Sequence, residues 1–248
     1  MKYLVIPFFN ESKRFDPQYF QALFKMDDSY WVLVDDGSED DTYLKLKKFS
    51  SIPNVTILKN QMNLGKAESV RIGMQHIMIN SDVNVKDENL LGFLDADGAF
   101  NLAAVETFLQ NASDILESKP EYFAVWSSRV KLSGRDIQRN PMRHYLGRVI
   151  NTLMGTFVSY IPYDSQSGLK VYRYDLILNE IFNKSFATKW LFDIEILIRM
   201  HKKNLAVYEQ PVDFWRDVRG GTLGTRQAFQ VISEIIKIKR LQNREMWD

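Results

Sequence analysis

Three short segments place carboxylates where an apolar run has just ended. Pro7-Phe8-Phe9-Asn10-Glu11 follows Tyr3 to Ile6, Asp35-Asp36-Gly37-Ser38 follows Trp31 to Val34, and Asp95-Ala96-Asp97-Gly98 follows Leu90 to Leu94. One such turn is ordinarily a helix cap or a solvated bend. Three at the ends of successive β-rich runs point instead to a shared site. Carboxylates without cysteine or a histidine cluster are hard oxygen ligands, suited to Mg²⁺ or Mn²⁺. Such an ion takes one or two carboxylates and completes its shell with water and substrate phosphates, so a diphosphate substrate follows. Asn63-Leu64-Gly65-Lys66, at the start of a helical pattern, offers a cation and a helix N-terminus to a phosphate, with Arg71 one turn further on. The chain has no G-x-x-x-x-G-K-[ST] loop and no G-x-G-x-x-G after its first apolar run, which argues against a P-loop NTPase and the usual dinucleotide site.

The elements that must position these residues alternate in type. Tyr3–Ile6, Trp31–Val34, Val55–Leu58, Leu90–Leu94 and Tyr122–Trp126 are nearly continuous apolar runs, as expected of parallel strands covered on both faces. Helical patterns lie between them. Asp16-Pro17 reads as an N-cap with a first-turn proline, and Ser38 with Asp41 resembles a capping box. Lys66–Ile79 and Leu102–Leu116 have helical apolar spacing. This is the βαβ rhythm of a doubly wound sheet, in which ligands bind beyond the carboxyl ends of the strands. The second half reads as a helix opened by Asn140-Pro141, a strand near Leu169–Tyr172, helices near 174–182 and 192–203, strands near Leu205–Tyr208 and Val212–Trp215, and a basic amphipathic helix over Arg226–Leu241.

Bulk properties narrow the field. Lys and Arg total 32 against 31 Asp and Glu, so net charge points to no nucleic-acid partner. With no cysteine there are no disulfides, thiolate metal sites or cysteine nucleophiles, and a reducing cytoplasm fits. No stretch reaches the roughly 18 apolar residues of a membrane span.

In order along the chain, the blocks VIPFFNESKR, VDDGSEDDT, NLGKAESVRIGM, DADGA, SSR, RHYLGRVINT, YDSQSGLKVYR and KWLFDIEIL resemble the family 2 glycosyltransferases of GT-A fold, within them the dolichyl- and polyprenyl-phosphate sugar transferases. Each block alone is weak; the ordered series is specific. The resemblance implies a Rossmann-like, mostly parallel α/β sheet over residues 1–219 with a C-terminal helical elaboration. Residues 220–248 would form an amphipathic helix on the domain, a second subunit or a membrane surface. It implies that Pro7, Asn10, Glu11, Asp36, Lys66, Arg71 and Asp95 contact the nucleotide-sugar, a UDP- or GDP-sugar, and that Asp97 holds the metal. Arg129, Arg139, Arg143 and Arg148 would face the acceptor, together with Asp164, Gln166 and Trp190. Asp193 falls in the aromatic-x-x-Asp block near sugar and acceptor. Ala99 stands two residues after the metal aspartate, where related enzymes often carry glutamine, so the metal shell would rely more on Asp97.

The expected reaction is transfer with inversion to a polyprenyl phosphate or a glycan. Asp97, Asp193 and Arg129 are the expected catalytic residues. A hydroxyl acceptor would use Asp193 as general base, with Asp164 behind it; a phosphate acceptor needs cations instead, and arginines provide bidentate contacts. Helices 141–160 and 226–241 would suit a peripheral position on the cytoplasmic membrane face or a homodimer contact. Trp215, Arg216 and Gly220-Gly221 would form a flap. The alternatives are a sugar-1-phosphate nucleotidyltransferase and a non-catalytic nucleotide-sugar-binding protein.

Overall fold

The computed structural model describes residues 1–80, 89–156, 158, 160–218 and 225–242. Alternation of apolar side chains along each strand decides the architecture. In β1 (Lys2–Phe8), Leu4, Ile6 and Phe8 point to one face while Val5 points to the other. In β2 (Ser29–Asp35), Trp31 and Leu33 join the first set and Val32 and Val34 the second. Both faces are therefore apolar, and each needs a layer of helices. The first face is covered by α1 (Pro17–Leu23), α2 (Thr42–Lys47) and α4 (Leu102–Ser118). The second is covered by α3 (Lys66–Asn80), α5 (Pro141–Gly155), α6 (Leu176–Asn183), α7 (Phe192–His201) and α8 (Thr225–Gln242).

With β3 (Val55–Lys59), β4 (Leu90–Leu94), β5 (Tyr122–Ser128), β7 (Leu169–Arg173) and β8 (Ala206–Pro211), the main sheet runs β3-β2-β1-β4-β7-β5-β8. Strands β3, β2, β1 and β4 are mutually parallel, and β7 runs antiparallel to both neighbours. The order turns back between β1 and β4, the position at which such sheets open a crevice. In a small parallel pair, β9 (Phe214–Arg216) overlaps the strand expected near Val212–Trp215, whereas its partner β6 (Asp136–Gln138) was not expected, since a three-residue strand carries almost no periodic signal.

Local signals met different fates. Asp16 caps α1, accepting from the N–H groups of Gln18 and Tyr19. The Ser38–Asp41 capping box does not form. The α2 N-cap Asp41 makes no side-chain bond, and the Ser38 hydroxyl accepts instead from the Asn10 N–H, tying the β2 turn to the β1 turn. The flap expectation at Gly220-Gly221 lies outside the described residues, while Trp215 is buried against the Arg129 guanidinium, 4.9 Å from its ring.

Gly73 lets α3 approach the sheet. A β-carbon there would overlap the Val5 side chain and press on Val34. Gly73→Ala should destabilise the protein by roughly 1–3 kcal/mol, the scale of core overpacking; urea unfolding checks this, and an unchanged midpoint would contradict the close packing.

Candidate active site

The carboxyl ends of β1, β2 and β4, with the β7 loop and the start of α7, enclose a cleft of about 610 Å³. Its lining includes Pro7, Glu11, Asp36, Lys66, Asp95, Asp97, Gln166, Trp190 and Asp193, all anticipated, and Arg14, Lys189 and Phe192, which were not. Among the lining side chains five carboxylates (Glu11, Asp36, Asp95, Asp97, Asp193) face three cations (Arg14, Lys66, Lys189). Such an excess of one sign must be paired, bonded or neutralised by a ligand.

Each carboxylate is handled differently. Asp36 is buried and turned onto the chain: one oxygen accepts from Asn60 Nδ2 at 3.0 Å and the Leu64 N–H at 2.9 Å, the other from the Gly65 N–H at 2.8 Å. These bonds shape the loop that opens α3, while Asp36 still lines the cleft as expected of a donor-side residue. The same bonds occupy the N–H groups of Leu64 and Gly65, just before the α3 N-terminus at Lys66. Glu11 pairs with Arg14 at 2.5 Å. Asp95 receives Lys66 Nζ at 2.5 Å, and Gly168 lies so close that a β-carbon there would overlap the Asp95 carboxylate. Burial would lower the Lys66 ammonium, but the Asp95 and Asp193 carboxylates outweigh it and raise it.

Asp97 is left exceptional. Its bond is from the Ala99 N–H at 3.1 Å, and burial, reinforced by the charge of Asp95, raises its carboxyl to about 6. Among the described residues no group of three acidic or histidine side chains could enclose a metal. Asp97, with Asp95 beside it, fits an ion such as Mg²⁺ or Mn²⁺ that draws its remaining ligands from water and a diphosphate.

Asp193 sits under the cleft on the first turn of α7 and is bonded by the Lys170 ammonium. Lys170 is fully buried in β7, donates also to Ser165 O at 2.7 Å, and lies over the Trp126 ring at 4.3 Å. Burial pushes its ammonium down. Sequence reasoning missed it, although a lysine inside the apolar run Leu169-Lys170-Val171-Tyr172 is the available signal, because such a charge is retained only with a partner.

Several other expected site residues are engaged within the chain. Asn10, with φ of +52°, caps the β2 turn by accepting from the Glu39 N–H and does not line the cleft. Arg71 is engaged by Glu68, Gln75 and Asn183 O, away from the donor site, because helical spacing favours its own neighbours. Arg129 is clasped by Asp164 through two side-chain bonds of 2.7 Å. Burial alone would raise Asp164, but Arg129 and then Arg139 lower it to about 2, so it is no proton acceptor near neutrality. Arg139 approaches the same carboxylate at 3.5 Å, so two guanidinium groups meet at it. Arg148 stacks on Tyr163, 4.1 Å from its ring, and bonds Tyr163 O. The Arg143 side chain lies outside the described residues.

A cleft with an aspartate pair at the β1/β4 crevice of this sheet agrees with what the chain resembles. The glycosyl transferase family 2 model matches residues 3–175, and the chain belongs to that family. It is a glycosyltransferase, and the nucleotidyltransferase alternative falls away. A dolichyl-phosphate β-glucosyltransferase of Trichomonas vaginalis is 25% identical, covering 98% of this chain and 74% of the relative. One from Saccharomyces cerevisiae is 29% identical, covering 89% and 68%. Among solved structures, glucosyl-3-phosphoglycerate synthase of Mycobacterium tuberculosis in complex with Mn²⁺ and UDP-glucose superposes with a TM-score of 0.65 at 16% identity, covering 98% of this chain and 79% of that one, which shows the GT-A fold.

Because burial and Asp95 raise Asp97, its ionised form weakens the metal-free fold. The stability from its protonation is complete below the unfolded value of about 4 and is lost as pH rises through about 6. Asp97→Asn with chelator should therefore melt above the parent at pH 7.5, and the difference should shrink toward pH 4. Equal melting temperatures at both pH values would contradict the raised carboxyl.

Proposed function

We propose that this glycosyltransferase moves a hexose, with inversion, from a UDP-sugar to a polyprenyl phosphate. The observation that carries the donor half is the Asp95/Asp97 pair in a cleft where carboxylates outnumber cations. A nucleoside diphosphate would be repelled there unless a divalent cation reversed the local sign. Asp97, helped by Asp95, would hold that Mg²⁺ or Mn²⁺; when bound, the ion supplies Lewis-acid neutralisation of the departing diphosphate. Lys66, held over the Phe93 and Phe192 rings and against Asp95, adds a second positive charge beside the leaving group.

The acceptor half rests on charge. Arg129 and Arg139 both approach the carboxylate of Asp164, which gathers two guanidinium groups at a partly buried position. An acceptor phosphate is already anionic and needs no base. Its oxygen attacks the anomeric carbon, the bond from that carbon to the diphosphate oxygen breaks, and the electron pair leaves with the nucleotide. With Lys170 bonded to its carboxylate, Asp193 stands in the cleft wall, where it would hold a sugar hydroxyl. The named relatives support this reading, since a β-glucosyl product from an α-linked UDP-glucose requires inversion. A glycan hydroxyl acceptor is the second reading, favoured by the position of Asp193 in the cleft wall.

A lipid acceptor requires a route to a membrane. No helix among the described residues is long and apolar enough to cross one. The exposed side chains of Tyr145, Val149 and Leu153 recur every fourth residue on α5, and form a stripe suited to lying in a lipid surface near Arg148.

Release of UDP from UDP-glucose should require Mn²⁺ or Mg²⁺ and rise on adding polyprenyl phosphate. Asp97→Ala should lower transfer about a hundredfold or more. Arg139→Ala should raise the acceptor KM about tenfold with donor affinity unchanged. Transfer only to a free hydroxyl, with loss of activity in Asp193→Asn, would replace the phosphate reading by the second one. Val149→Asp with Leu153→Asp should abolish sedimentation with anionic vesicles while leaving donor binding intact.

A further inference from the structure

Helix α7 carries Asp193 in its first turn, yet it begins without a cap of its own. Its N-cap is Leu191, which makes no side-chain bond. The third helical position holds Ile194, where glutamate or glutamine would close a capping box. The missing carboxylate comes from elsewhere. The N–H groups of Lys189, Trp190 and Leu191 converge on Glu234 of α8, at 2.9, 2.9 and 3.0 Å. Oε1 accepts from Lys189 and Oε2 from the other two, across a separation of 43 to 45 residues.

Glu234 is only 5% exposed. A carboxylate so buried is retained only where hydrogen bonds replace its hydration, and three consecutive backbone donors form such a nest. On either side of it Val231 and Ile238 lie in the same apolar cluster as the α7 residues Phe192 and Ile196. The preceding part of the loop is held by a second carboxylate, Glu195, which accepts from the N–H groups of Ala187 and Thr188 and is balanced by Arg199. The segment between the two anchors supplies Lys189 and Trp190 to the cleft, with Phe192 and Asp193 directly after it. The ends of β1, β2 and β4, which hold Glu11, Asp36, Asp95 and Asp97, belong to a different part of the framework.

We propose that Glu234 is a positioning residue for the α7 side of the cleft, so that α8 is a working part of the transferase site. Through the backbone of residues 189–191 it sets where Lys189, Trp190 and Asp193 stand. The proposal rests on reading the cleft as the nucleotide-sugar site. Loss of the Glu234 carboxylate leaves three N–H groups, that of Leu191 buried, without their acceptor, and the loop relaxes while the strand ends keep their geometry. Turnover then suffers and nucleotide binding does not.

The test uses the full chain with Glu234→Ala and Glu234→Gln. UDP with Mn²⁺ should bind both variants within about twofold of the parent, while kcat for transfer falls at least about tenfold, the scale of one or two lost charge-assisted bonds. Amide hydrogen exchange should accelerate in residues 187–193 and nowhere else. Formate, small enough to enter the vacated nest, should restore part of kcat to Glu234→Ala and none to Glu234→Gln. Near-parental kcat in either folded variant would overturn the proposal, as would accelerated exchange spread over the whole domain or a failure of both variants to fold. If only Glu234→Ala fails to fold, Glu234→Gln decides by its kcat and exchange pattern. Failure of the parent to bind any nucleoside diphosphate would sink the functional reading instead, while local exchange at 187–193 still reports on the contact itself.

Discussion

Crowding of like charge at the mouth of one sheet is the constraint from which much of this structure follows. Placing Glu11, Asp36, Asp95, Asp97 and Asp193 around a single cleft is costly, because burial and mutual repulsion both disfavour ionised carboxylates. The fold answers with a separate device for each: backbone donors for Asp36, an arginine for Glu11, one lysine for Asp95 and another for Asp193. Asp97 alone keeps a carboxyl raised by its surroundings. The arrangement compensates four carboxylates through partners within the chain and leaves the fifth, Asp97, with the Ala99 N–H.

Two buried cations show how the same economy extends below the surface. Lys170 lies beneath the cleft between Asp193 and aromatic rings, and Arg129 lies between Asp164 and Trp215. In each pair the aspartate carboxylate is already engaged by a cation of the chain. This matters for chemistry, because an enzyme working on a hydroxyl needs a free base, whereas one working on a phosphate needs fixed cations and well-placed hydrogen-bond acceptors.

The cleft also joins two kinds of framework. Its donor wall is made of turns that directly continue parallel strands, so their geometry is as rigid as the sheet. Its other wall is a loop and a helix start, which lack ladder bonds and depend on the carboxylates of Glu195 and Glu234 for their shape. One wall of the cleft is thus tied to the sheet, and the other to carboxylates of α7 and α8.

How much of this the sequence alone determined can be argued from particular residues. The continuous apolar runs marked all five strands of the first half, because a strand covered on both faces leaves an unbroken hydrophobic signature. The aspartates after those runs marked the donor wall, because chain continuity places a residue following a parallel strand at the sheet's carboxyl edge. Asp16 declared its cap, since that bond spans two or three residues. Long-range partners left no such trace. Nothing local distinguishes Ser38 as a cap from Ser38 as a brace for Asn10, or Arg71 beside a donor from Arg71 folded onto Glu68. Lys170 under Asp193, Asp164 clasping Arg129, and Glu234 capping α7 each join groups brought together only when the sheet closes and its helices dock. The sequence thus determined which carboxylates reach the mouth of the sheet, because strand continuity dictates that. The tertiary structure decided which of them remain available for chemistry, because that depends on partners the chain supplies from far away.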